Sequence, residues 1–192
     1  MRGIGLSAVC FLTVVAAAHA EMLQLQPADP QPDPATLAQG LAVSYAYPPD
    51  VKDLRDAEYW LGEGAKAGSP LSGLRYIDTL EGEEALTSGQ ATRVAAEITG
   101  YVHFARAGAH MIEFHSNDGV RAVLGGREVA FNDGRHPCET GGYQEVNAPA
   151  PGWYELKVTW FQRLGSACLL MKWDGGEGGM GWAKNEVFAY RK

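Results

Sequence analysis

The sequence predicts an all-β fold, an antiparallel β-sandwich or barrel with little helix. Short segments of alternating apolar and polar residues recur along the chain, and 24 glycines provide turns between them. Almost no segment has the apolar spacing of a helix. Many short strands joined by glycine turns are typical of sandwiches and barrels. The 192 residues allow one domain of ordinary size with a short appendage.

That appendage is a predicted signal peptide at residues 1–20. Arg2 precedes an apolar run that ends at Ala18-His19-Ala20, an Ala-x-Ala cleavage site. A transmembrane anchor is the rival interpretation, but the run is shorter than the roughly 20 residues needed to span a membrane. We therefore expect the leader to be removed and the protein to be exported, either to the periplasm or out of the cell.

Residues 21–39 are rich in proline and glutamine, a composition that predicts an extended spacer. Such a spacer either holds the domain away from a membrane or partner, or is a flexible N-terminus. The folded domain is then expected at 40–192. The formal net charge of −7 argues against nucleic acid and anionic membrane surfaces as partners, because both attract basic proteins.

From Gly40 onward the pattern favours strands, with irregular chain at 50–72 and one helical turn near Leu54–Trp60. In the clearest strand, Ile98 and Phe104 lie on one face and Thr99 and His103 on the other, which is the period of a half-buried strand. Gly125-Gly126 predicts a two-residue hairpin. The predicted strands are 41–47, 73–79, 92–105, 110–116, 121–124, 128–131, 154–161, 168–173 and 186–190.

Two cysteines remain after removal of the leader, Cys138 and Cys168. In an exported protein an isolated pair is most simply a disulfide, with two free buried thiols as the alternative. A metal site or a reactive thiol would need a CxxC motif or a nearby cluster of ligands, and the sequence has neither.

Eight short motifs resemble the PA-fourteen domain family, the β-sandwich module named from anthrax protective antigen. They occur in the family's order over residues 94–173. The motifs are Thr-Gly-Tyr-Val at 99–102, Ala-Gly at 107–108, Ser-Asn-Asp-Gly-Val-Arg at 116–121, Gly-Gly-Arg-Glu-Val at 125–129 with Asn-Asp-Gly at 132–134, Pro-Gly-Trp-Tyr at 151–154, Val-Thr-Trp-Phe-Gln at 158–162 and Leu-Leu-Met-Lys-Trp at 169–173. The resemblance implies a secreted, non-catalytic module for carbohydrate binding or adhesion.

The resemblance also implies a candidate calcium site. Sugar-binding members such as yeast flocculins hold Ca²⁺ with two adjacent aspartates joined by a cis peptide, where this chain has Asn117-Asp118. Asn117, Asp118 and Asn132 are the predicted metal ligands, and Asp133 is a further oxygen donor, since calcium prefers oxygen ligands. Loss of one aspartate is expected to weaken or abolish calcium binding. Alternatively, the Asp118 carboxylate accepts backbone N–H groups or pairs with Arg121.

The same loops supply the predicted sugar ligands. Arg135 and His136 join the four residues above as polar contacts, and Trp153 is the predicted stacking plate, with Tyr143 and Trp182 as alternatives. An ordinary surface loop is the competing interpretation. Two further tryptophans, Trp160 and Trp173, lie on alternating strands and are expected in the core.

Catalysis has little support, because the sequence has no GxSxG elbow and no phosphate-binding glycine loop. Three histidines, His103, His110 and His115, lack metal-binding spacing and are expected to face solvent. The alternative function is a cell-envelope module that binds another protein through the sandwich and requires neither sugar nor metal.

Overall fold

The computed structural model describes residues 22–175 and 179–192, so the predicted signal peptide lies outside it. The helix α1 spans Leu54–Gly64, and two 3-10 turns span Pro34–Thr36 and Asn185–Val187. The strands are β1 Leu23–Gln24, β2 Leu37–Gln39, β3 Ala42–Ala46, β4 Lys66–Ala67, β5 Arg75–Tyr76, β6 Val94–Phe104, β7 Gly108–Asn117, β8 Val120–Leu124, β9 Arg127–Asn132, β10 Glu139–Ala148, β11 Gly152–Gln162, β12 Cys168–Trp173, β13 Gly181–Trp182 and β14 Phe188–Arg191.

These strands form two sheets, which confirms the predicted sandwich. The six-stranded sheet has the order β1-β10-β7-β12-β13, with β5 also paired to β12. The eight-stranded sheet has the order β2-β14-β6-β11-β8-β9, with β3 on β6 and β4 on β3. Pairing is antiparallel throughout, except between β1 and β10. No helix in the described part of the chain is long and apolar enough to cross a membrane.

The core lies between the sheets, and the long β6–β11 pair forms its centre. These strands pair over eleven positions, from Gly152 opposite Phe104 to Gln162 opposite Val94. Ile98 and Phe104 are fully buried, as their alternation predicts. Trp160 is also fully buried, and its indole Nε1 donates a hydrogen bond to the Cys168 carbonyl at 3.1 Å. The predicted core face of β6, which carries Ile98 and Phe104, is therefore confirmed.

Besides the short strands β1, β2, β4 and β13, which were not predicted, two longer elements differ from the sequence prediction. The predicted helical turn is an eleven-residue helix, α1, capped by Asp53, whose Oδ1 accepts the Asp56 N–H at 2.8 Å. Strand β10 was not predicted, because it is mostly polar and carries Gly141-Gly142 at a bulge. Pairing with β7 makes it a strand in spite of its low propensity.

The N-terminal segment is not a free spacer. Within residues 22–39, β1 adds to the six-stranded sheet and β2 to the eight-stranded one. Leu25 is only 2% exposed and belongs to the core, and the Gln31 side chain exchanges two hydrogen bonds with the Trp153 backbone. Residues 22–39 of this proline-rich segment therefore pack along the domain.

Candidate functional site

Three loops meet at one end of the sandwich and line a cavity of about 470 Å³ that is open to solvent. They follow β7, β9 and β11 in the chain. The lining residues are Asn117, Asp118, Arg135, His136, Pro137, Leu164, Gly165 and Ser166. Four of the predicted ligand residues are therefore in one place. The last three lining residues were missed, because the only sequence signal there was a turn at Gly165-Ser166.

The Asn117-Asp118 turn is bound to the end of β11. Its peptide bond is cis. The Asp118 N–H donates to the Phe161 carbonyl at 3.0 Å, and the Phe161 N–H donates to the Gly119 carbonyl at 3.1 Å. A Cβ on Gly119 would lie 2.5 Å from the Phe161 ring, so only glycine fits there. The position of this turn is thus set by the main chain of β11.

Asp118 joins the three loops through its carboxylate, which is nearly inaccessible to solvent. Oδ2 accepts the Arg163 backbone N–H at 2.9 Å, and the carboxylate also accepts the His136 backbone N–H. Burial raises the pKa of the Asp118 carboxyl, and these hydrogen bonds oppose that rise. This is the structural role predicted for Asp118. The predicted pairing with Arg121 is wrong, because Arg121 pairs with Glu58 and Glu128.

Two further links fix these loops, one between them and one to the segment before α1. The predicted disulfide is present: Cys138 is bonded to Cys168, with 5.9 Å between the Cα atoms. Among the described residues, one group of potential metal ligands was found, formed by Asp78 and the two cysteines. Both of its sulfurs belong to this disulfide. The Arg163 guanidinium makes two hydrogen bonds to Asp50, at 2.7 and 3.0 Å, and these lower the pKa of the Asp50 carboxyl to about 2.

Three predicted ligands lie elsewhere. Asp133 accepts the Leu54 backbone N–H at 2.8 Å and so caps the start of α1. Asn132 lines a separate slot between β9 and β10. Trp153 lies near the far end of β11, nine residues from Gln162, which is about 30 Å at the usual rise of a strand. It contacts the rings of Tyr101 and His103, so it cannot be a stacking plate for this cavity.

The side chains of the cavity do not fit the predicted calcium site. Calcium takes six to eight oxygen ligands. Asn117 and Asp118 line the cavity, but the third predicted ligand, Asn132, does not. The Asp118 carboxylate already accepts two backbone N–H groups and lies close to Arg135 and His136. A single carboxylate engaged in this way leaves a poor ligand set for a divalent cation.

The alternative stacking plates, Tyr143 and Trp182, do not line the cavity, and the prediction for His110 is wrong. Tyr143 is 64% exposed beside the slot, and Trp182 lies under Lys172. His110 does not face solvent: it is buried, with Nδ1 3.2 Å from an Asp174 carboxylate oxygen and Nε2 3.2 Å from the Arg106 carbonyl. Its ring packs against aromatic core residues.

Comparison with known families supports the resemblance. The model of the PA14 domain matches residues 75–181, more than half of the chain. The matched range contains every residue that lines the cavity. A comparison with curated proteins found no match.

Several solved structures share the fold. The PA14 domain of the antifreeze protein MpAFP aligns with a TM-score of 0.70 at 14% identity, covering 85% of this chain and 96% of that one. The PA14 sugar-binding domain of an RTX adhesin has a TM-score of 0.62 at 15% identity, covering 80% and 99%. The A domain of epithelial adhesin 9 from Candida glabrata, in complex with Galβ1-3GlcNAc, has a TM-score of 0.65 at 13% identity, covering 90% and 97%.

Proposed function

Because the chain belongs to the PA14 domain family, we propose that it is a non-catalytic carbohydrate-binding module that holds sugar in the cavity beside Asn117. The observation that carries this proposal is the cavity itself, a polar site whose three loops are fixed by a buried carboxylate and a disulfide. Loops fixed before binding lose little entropy when a ligand binds. Sugar-binding structures with the same fold support the assignment of ligand class.

The cavity offers the chemistry that sugar hydroxyl groups require. Asn117 donates through Nδ2 to Ser166 Oγ at 3.1 Å, which leaves its Oδ1 to accept a sugar hydroxyl. The exposed Arg135 guanidinium supplies several donors in a fixed plane. At the rim, Leu164 is 44% exposed and provides an apolar contact for the C–H face of a sugar ring.

Binding in this cavity requires no calcium and takes place outside the cytoplasm. The protein side chains supply the hydrogen bonds directly, and the Asp118 carboxylate is used to fix the loops. Export is supported by the leader-like N-terminus and by the Cys138–Cys168 disulfide, since disulfides persist in oxidising compartments.

A glycan array probed in the presence of EDTA tests the proposal. The array should include Galβ1-3GlcNAc and lactose beside acidic and mannose-containing glycans. We expect binding to at least one glycan class, unchanged by EDTA. Folded protein that binds no glycan with either EDTA or calcium would overturn the proposal. A stoichiometric envelope-protein partner that survives competition with sugar would support the alternative interaction module instead.

A further inference from the structure

A second cavity lies along the open seam of the sandwich, between β9 and β10, with a volume of about 200 Å³. We call it the seam slot. Strand β9 is the last strand of its sheet, and β1 pairs with β10 only at Val146 and Asn147. The facing edges of β9 and of residues 139–145 therefore carry no further strand. The slot is separate from the cavity at Asn117, since the two have no lining residue in common.

Glycines shape the floor of the seam slot. A Cβ on Gly141 would lie 3.1 Å from the Phe131 carbonyl oxygen and 3.2 Å from Asn132 Cβ. Gly142 has a φ of +117°, which a side chain would strain. Both lie at the bulge that displaces β10 from β7 between Thr140 and Tyr143. The bulge opens a space bounded partly by main chain.

Two exposed aromatic rings flank this space. Phe131 is 49% exposed and Tyr143 is 64% exposed. Phe131 is held in place by the Arg121 guanidinium, 5.3 Å from its ring centre, and Arg121 is itself held by Glu58 and Glu128. Large aromatic faces provide the apolar area on which flat, partly apolar ligands pack. The Phe131 ring is thus fixed at the rim of the slot, and the Tyr143 ring is exposed beside it.

The polar side chains of the seam slot suit hydroxyl groups. The Asn132 amide lines the slot and makes no side-chain hydrogen bond within residues 22–175 and 179–192, so both its donor and acceptor groups are available. Glu128 also lines the slot, 3.3 Å from Arg121, whose single positive charge it shares with Glu58. The lining is therefore polar with a partly compensated negative charge, which disfavours an anionic ligand.

We propose that the seam slot binds one ring of a neutral sugar against the Tyr143 ring, with the Asn132 amide contacting its hydroxyls. Its volume is below the roughly 300–1,000 Å³ typical of sites for drug-sized ligands, so it admits a single ring. The site is independent of the cavity at Asn117. A glycan chain that reaches both sites, or two branches of one glycan, would be held more tightly than by either alone.

Backbone and side-chain amide NMR with glucose, galactose, mannose and N-acetylglucosamine as separate probes tests this site. At least one probe should shift the Asn132 side-chain amide and the backbone amides of Gly141 and Gly142. Tyr143→Ala and Asn132→Ala should each weaken that binding about tenfold or more. Tyr59→Ala, which removes an aromatic ring of similar exposure on α1, should leave it unchanged.

The outcomes separate this site from the proposed function. Shifts in the seam slot that persist in Arg135→Ala support it even if the cavity at Asn117 binds no sugar. Shifts confined to the cavity at Asn117, or no shift with any of the four sugars, would overturn it. Concentration-dependent broadening along β9 without sugar would identify the seam as a contact between two copies of the chain, which would also overturn it.

Discussion

Replacing Cys138 and Cys168 together with serine removes the covalent tie between the loop before β10 and the start of β12. The bond closes a segment with a sequence separation of 30. In the chain-entropy model a loop of that size stabilises the folded state by about 3.6 kcal/mol. A domain of this size loses roughly 2–4 °C in Tm per kcal/mol, so the expected decrease is roughly 7–14 °C.

Calorimetry of the wild type and the double variant measures this decrease. Dithiothreitol provides the matched control, because it should lower the Tm of the wild type by a similar amount and leave the double variant unaffected. The variant should also bind its glycan more weakly, because the loop that carries Arg135 and His136 loses its covalent attachment. A decrease in Tm below about 2 °C, or unchanged glycan affinity, would refute the view that the disulfide holds this loop.

Three smaller perturbations test other parts of the structure. Gly119→Ala places a Cβ against the Phe161 ring and should lower the free energy of unfolding by about 1–3 kcal/mol. Gly62→Ala is the control, because open space surrounds Gly62 and the change should be neutral or stabilising. Equal effects of the two substitutions in urea titrations would contradict the packing at Gly119. Leu25→Ala should lower the free energy of unfolding by about 2–5 kcal/mol, because the Leu25 side chain belongs to the core. A decrease below about 1 kcal/mol would show that the N-terminal segment is only a spacer. Asp50→Asn should destabilise the protein at neutral pH, because the hydrogen bonds from Arg163 lower the pKa of Asp50 to about 2 in the folded state. The difference in stability between variant and wild type should shrink as the pH falls from about 4 to 2. A difference that does not change with pH would exclude the Asp50 carboxylate as its cause.

The regular part of the fold could be predicted from the sequence because it depends on local pattern. Alternation in β6 separates Ile98 and Phe104 from the polar face, and the register with β11 preserves that separation. Strand β10 could not be predicted in this way, because its polar residues and Gly141-Gly142 have little strand propensity. It exists because β7 offers a partner that is distant in sequence.

The candidate site was predictable only where a motif identified it. Asn117-Asp118 was found through its resemblance to a family loop, and the nearby Arg135 and His136 followed from it. Trp153 was assigned to the same site because the sequence does not show at which end of the sandwich a residue lies. Leu164 to Ser166 line the cavity through tertiary packing alone, and no local signal distinguishes them from an ordinary turn.

The central claim is that the cavity beside Asn117 binds sugar through its own side chains. Isothermal titration in EDTA, with the strongest glycan from the array, tests it on three proteins: wild type, Arg135→Ala and Arg106→Ala. Removing a charged hydrogen-bond donor typically costs roughly 1.5–3 kcal/mol, so Arg135→Ala should bind about 10- to 150-fold more weakly. Arg106→Ala removes an exposed arginine from a different loop and should bind like the wild type. Equal affinity of all three proteins, or binding by the wild type only when calcium is added, would contradict the account.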